Sequence, residues 1–180
     1  MSCGTVLMAC TAAACAQGYP SKPVRIVVGF APGGAADIVG RVIGQKLSEA
    51  TGQTFFVDNR AGASGTIAAE LVARAAPDGH TLLIGIPTTH SVLPSLMRKL
   101  NYDAVRDFVP VAMLARFPML LSVHPSLPVT RVADLVRLAK ARPGLLHFGT
   151  GGTGTPPHMA GELLKQLAGV EIVAVPYKGA

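Results

Sequence analysis

VRIVVGFAPGGAADIVGRVIGQKL, residues 24–47, passes from a β-branched apolar run through a proline-glycine turn into a helix pattern. The run over 24–30 reads as a buried parallel strand, broken by Pro32, Gly33 and Gly34. Asp37 falls in the first helical turn, where a carboxylate offsets the peptide dipoles. Ile38, Val39, Val42, Ile43 and Leu47 then recur at helical spacing, and Gly52 after Thr51 supplies a C-cap. The unit repeats over 54–75, with a strand at 55–57, a glycine turn at 60–65 and an alanine-rich helix. Residues 81–86 read as a third buried strand, closed by Pro87. Three strands separated by helices imply a parallel sheet with right-handed crossovers.

The rhythm changes after Tyr102. Residues 108–115 and 119–123 are apolar runs with little helix signal between them, which is where a domain crossing is expected. Alternation resumes with a helix at 132–141, a strand at 145–148, a helix at about 158–167 and a strand at 172–175. The fold class is therefore α/β, parallel sheets flanked by helices, with a first lobe over 17–115 and a partial second lobe over 116–180. So few elements would leave sheet edges and helix faces uncovered, so the second lobe is expected to be incomplete and Ala180 not to be the natural end.

A second strand, glycine turn and helix stands at 145–167, LLHFGTGGTGTPPHMAGELLKQL. Neither glycine turn carries lysine or arginine. Helix starts present unpaired N–H groups and the positive end of the dipole, so two facing one cleft could hold a carboxylate without charged side chains. Gly149 to Gly154 formally match GxGxxG, which keeps a nucleotide-binding α/β enzyme as an alternative. Against it, Thr155, Pro156 and Pro157 delay the helix past the third glycine, and Glu171 precedes its strand instead of ending it. The absence of GK[ST] excludes a P-loop.

No catalytic constellation emerges. Ser64 could be drawn with His80 or His90 and an aspartate, but GASGT lacks the G-x-S-x-G elbow. The five histidines show no metal-ligand spacing, so no metal and no cofactor are expected. His158, at the start of the second pocket helix, is kept as a ligand neighbour. Thr88 and Thr89 follow the third strand, at the carboxyl end of a parallel sheet, where their hydroxyls could donate to a carboxylate or cap a helix.

The formal charge of +6 arises wholly from Lys22 onward and is scattered, with no dense or aromatic-interleaved run of the nucleic-acid kind. A mild positive field would still help anions reach a cleft. Cys3, Cys10 and Cys15 all lie in the first apolar stretch. Residues 1–16 read as a secretory signal cleaved after Ala16, possessing no basic n-region, so its start is expected to be truncated or misplaced. Lipidation at Cys10 is the alternative. No later segment has the roughly 18 uninterrupted apolar residues of a membrane span.

The segments YPSKPVRIVVGFAPGGAADIVGR, VDNRAGASGTIAAELVARAAPDGHTLL, LNYDAVRDFVPVAML, FGTGGTGTPPHMAGELL and VPYKGA follow one another in order. Together they resemble the tripartite tricarboxylate transporter substrate-binding proteins, also called the Bug family, from Tyr19 to Ala180. The resemblance implies a two-lobed periplasmic binding protein-like fold (type II), monomeric and non-catalytic. Its implied partners are a small carboxylic acid ligand and integral membrane transporter subunits; presentation of the ligand to a signalling receptor is the other role open. Carried over by motif, Phe30, Pro32, Gly33, Gly34, Ala35 and Asp37 would meet the ligand from the first lobe, with Thr88 and Thr89 beside them. Thr150, Gly151, Gly152 and Thr153, with Gly154, Thr155 and His158, would meet it from the second. Backbone amides and ordered water would hold the carboxylate.

Overall fold

The computed structural model describes residues 18–177. The expected signal segment and Cys10 lie outside them, as do residues 178–180. Strand β1 (Val24–Val28) is central in a parallel sheet of order β2-β1-β3, flanked by β2 (Phe55–Asn59) and β3 (Thr81–Leu83). Val24 pairs with Phe55 on one side, and Arg25 with Thr81 on the other. Val24, Val27 and Val28 are wholly buried and Ile26 nearly so, as befits the central strand of a parallel sheet.

Helix α1 (Ala35–Thr51) follows β1 and ends at Gly52, whose left-handed backbone brings its N–H to the Ser48 carbonyl at 3.0 Å. The helix face against the sheet differs from the apolar periodicity. Gly40 and Gly44 lie there: a Cβ at Gly40 would stand 3.4 Å from Val28 Cγ2, and one at Gly44 would stand 3.2 Å from Ile26 Cδ1. Ile38 and Val42 are more than half exposed, while Val39, Ile43 and Leu47 are half-buried. The glycines let the backbone come close, and that closeness rotates the apolar stripe away from the centre of the contact.

Beyond β2, a tight 3-10 turn at Ala63–Gly65 leads into α2 (Thr66–Ala73). The third strand is shorter than its apolar run. Its ladder ends with the Ile84 N–H on the Val27 carbonyl, at 3.0 Å, and the chain turns off at Gly85 into one turn of π-helix at Thr88–Val92 and α3 (Leu93–Leu96). Gly29, just past β1, lies almost on Gly65, since a Cβ there would stand 2.8 Å from Gly65 Cα. Two backbones in contact have nowhere to yield, so Gly29→Ala should lower stability by about 2 kcal/mol. A urea midpoint unchanged from the parent would show that the two turns do not touch.

Residues 104–131 form neither helix nor strand, and Val109, Val111 and Leu120 are more than four-fifths exposed. After them come α4 (Val132–Ala141), β4 (Leu146–Thr150), α5 (Pro156–Ala168) and β5 (Ile172–Pro176). The strands β4 and β5 make a second, two-stranded parallel sheet, in register from Leu146 with Ile172 to Thr150 with Pro176. Helix α5 begins two residues earlier than expected. Proline is at home in the first helical turn, because its missing N–H has no intrahelical partner there and its φ suits the helix. No helix among the described residues is long and apolar enough to cross a membrane.

Candidate functional site

Turns at the carboxyl ends of β1, β2, β3 and β4 come together. Around Gly65, the place of an added Cβ is 3.3 Å from Phe30 Cε2 and 3.1 Å from Thr89 Cγ2. Opposite, a Cβ at Gly152 would stand 3.1 Å from Ser64 Oγ, and one at Gly154 would stand 3.1 Å from Leu93 Cδ2. The second glycine turn therefore lies against the turns of the first sheet.

Asp37 shapes the first jaw from within. It is 3% exposed, and its Oδ2 accepts from the Gly33 N–H and from Arg41 Nε, each at 2.9 Å. Its Oδ1 accepts from Asn59 Nδ2 at 2.9 Å, and the same amide donates to the Phe30 carbonyl at 3.1 Å. The Arg41 guanidinium first, and then the Gly33 N–H, hold the Asp37 carboxyl down at about 2. The carboxylate named from sequence as a ligand group thus has both oxygens engaged inside the chain, and Gly33 spends its N–H on it. Gly34 offers no side-chain cap to α1, so the first-turn N–H groups of that helix remain uncapped.

At the end of β3 the two threonines separate in role. Thr89 Oγ1 donates to the Ile86 carbonyl at 3.2 Å and lies 2.8 Å from His90 Nδ1, while Tyr102 Oη donates to the Thr89 carbonyl at 2.8 Å. The His90 ring packs edge-on against Phe108, with centroids 4.8 Å apart, and burial pushes its pKa down. Thr88 is fully buried, and its Oγ1 has no hydrogen-bond partner among the described residues. Neither threonine caps the turn, whose N-cap is Pro87.

The second jaw does not mirror the first. Pro156 and Pro157 at the start of α5 have no N–H, and the Met159 N–H goes back to the Thr155 carbonyl at 3.0 Å. This helix start therefore lacks most of the free donors expected of it, a correction to the reading of two equivalent anion sites. The loop is braced instead: Thr155 Oγ1 donates to the Gly152 carbonyl at 2.6 Å, Thr150 Oγ1 accepts from the Gly152 N–H at 3.3 Å, and His158 Nδ1 accepts from the Gly154 N–H at 3.3 Å. Accepting at Nδ1 places the proton of neutral His158 on Nε2. Gly154 abuts Leu93 instead of seating a helix on its strand, which removes the packing role of the third glycine in a nucleotide fingerprint.

Among the described residues, no group of three or more His, Cys, Asp or Glu is placed to hold a metal ion. His80 packs on Tyr19 and bonds within the Asp78 turn, so it does not join Ser64 in a triad. The sequence reading missed Asn59, which ties the strand end of β2 to the first jaw. It also passed over Ser64 as a cleft residue, although the glycines around it mark a turn of unusual backbone.

The family described as "Tripartite tricarboxylate transporter family receptor" matches residues 39–180. Protein BugT of Bordetella pertussis is 37% identical over 165 residues, covering 91% of this chain and 51% of BugT. The solved structure of R. palustris Rpa4515 with adipate is 48% identical, with a TM-score of 0.87, covering 89% of this chain and 54% of that one. MatC (Rpa3494) from Rhodopseudomonas palustris with bound malate is 36% identical, with a TM-score of 0.82, covering 89% and 55%. Other structural neighbours are described as a periplasmic transporter and as the periplasmic binding protein BugD. The chain spans about half the length of the curated relatives it matches.

Proposed function

The chain belongs to the tripartite tricarboxylate transporter receptor family, and on that premise we propose that it captures a small carboxylic acid in the periplasm and hands it to integral membrane transporter subunits. The observation that carries this reading is that the glycine turns of the two sheets face each other while the nearby cation is already spent. Arg41 is paired with Asp37, so an anion held between the turns would rely on backbone N–H groups, those of the uncapped first turn of α1 among them. Neutral donors fixed before the ligand arrives bind an anion without the desolvation cost of a buried cation. The adipate and malate held by two structural neighbours belong to the same chemical class. Closing the two sheets on a hinge would bury the ligand, and residues 104–131, free of helix and strand, are the place for that hinge.

Calorimetric titration of the protein at its full natural length tests the proposal. The panel is adipate, malate, citrate, glutamate and benzoate, with NAD and ATP as nucleotide controls. At least one acid should bind with a Kd of about 1 μM or tighter, near −8 kcal/mol, and neither nucleotide should bind. Silence from every acid, or a nucleotide bound in their place, would sink the assignment.

A further inference from the structure

We propose that Ser64 is a ligand-binding residue of this cleft, its hydroxyl donating to the captured carboxylate from the turn after β2; this rests on the carboxylate-capture reading above. The backbone singles the residue out. Gly62, Ala63, Ser64 and Gly65 all have positive φ, at 141°, 46°, 54° and 91°. Glycine tolerates that region freely, whereas a side chain there is strained, so a serine between Ala63 and Gly65 in this turn holds its place at an energetic cost.

The turn closes without the hydroxyl. The Gly65 N–H reaches the Gly62 carbonyl at 2.9 Å, and the Ala63 carbonyl accepts from Thr66 Oγ1 at 3.0 Å. Ser64 Oγ is directed instead at the opposing jaw, where a Cβ on Gly152 would come within 3.1 Å of it. The same turn packs on Thr89, next in sequence to Thr88, whose buried hydroxyl has no partner. A hydroxyl aimed at the facing loop and not used by its own turn makes Ser64 a donor for a carboxylate lying between the jaws.

Three variants at full natural length separate the hydroxyl from the backbone, with adipate, malate and the rest of the acid panel as calorimetric probes. Ser64→Gly removes the hydroxyl and relieves the strain, whereas Ser64→Ala removes the hydroxyl and keeps it. Both should bind the acid about tenfold more weakly than the parent, as expected for one lost hydrogen bond to a charged group. Ser64→Asp places a negative charge on a residue type that tolerates this backbone, and should weaken binding more than about a hundredfold. Ser64→Gly should also melt no lower than the parent, which sets a ligand contact apart from a structural role. A Ser64→Gly variant that binds within about twofold of the parent overturns the role of Ser64 while leaving carboxylate capture standing. A parent that binds no acid of the panel overturns the capture itself.

Discussion

Gly152→Val is expected to cost at least about a hundredfold in affinity for the captured acid while leaving the first sheet folded, because two independent requirements meet at that one position. Its φ of 121° lies where only glycine is comfortable, and a β-branched side chain is the worst replacement. Even if the backbone were kept, the first side-chain carbon would stand 3.1 Å from Ser64 Oγ, and valine adds two methyl groups beyond it. The loop must then move away from the first jaw, and the bracing from Thr150 and Thr155 to the two ends of Gly152 goes with it. Calorimetry on the variant and the parent checks this. Equal affinities for Gly152→Val and the parent would mean that the second glycine turn does not face the ligand.

The elements that depend on local signals were readable along the chain. β1, α1 and the C-cap at Gly52 follow from an apolar run, a Pro-Gly break and a glycine placed after the helix, each acting within a few residues. What the chain hides is which face each element turns to its neighbour. The sheet-facing glycines of α1 lack any apolar signal, because close approach is achieved by the missing side chain itself. At the site, the glycine turns were visible as composition. The bond from Asn59 to Asp37 joins residues 22 apart and has no periodicity to reveal it. The two prolines opening α5 were visible too, yet their effect on the anion site follows only from counting N–H groups at an observed helix start.

The inward-turned Asp37 makes the second large expectation one of stability as well as binding. Asp37→Ala would leave the Gly33 N–H and the Asn59 amide without the acceptor they now share, in a place that is 3% exposed. Stranding donors of a buried charged network costs about 3 kcal/mol, visible as a lower urea midpoint. Arg41 is exposed and can rehydrate, so the loss falls on the loop and not on the helix surface. With Gly33 untied and Asn59 left with only the Phe30 carbonyl, the first jaw must be ordered at binding, and affinity should fall about tenfold. The pH dependence separates this cause from a simple cavity. The folded carboxyl titrates at about 2, below its ordinary value of 3.8, so its contribution is fully present above about pH 4 and is lost as pH falls towards 2. Asp37→Asn removes the titration while keeping a similar shape, so its stability should vary less across that window than the parent's. If parent and Asp37→Asn lose stability in parallel from pH 4 to pH 2, Asp37 is not the group that holds the jaw.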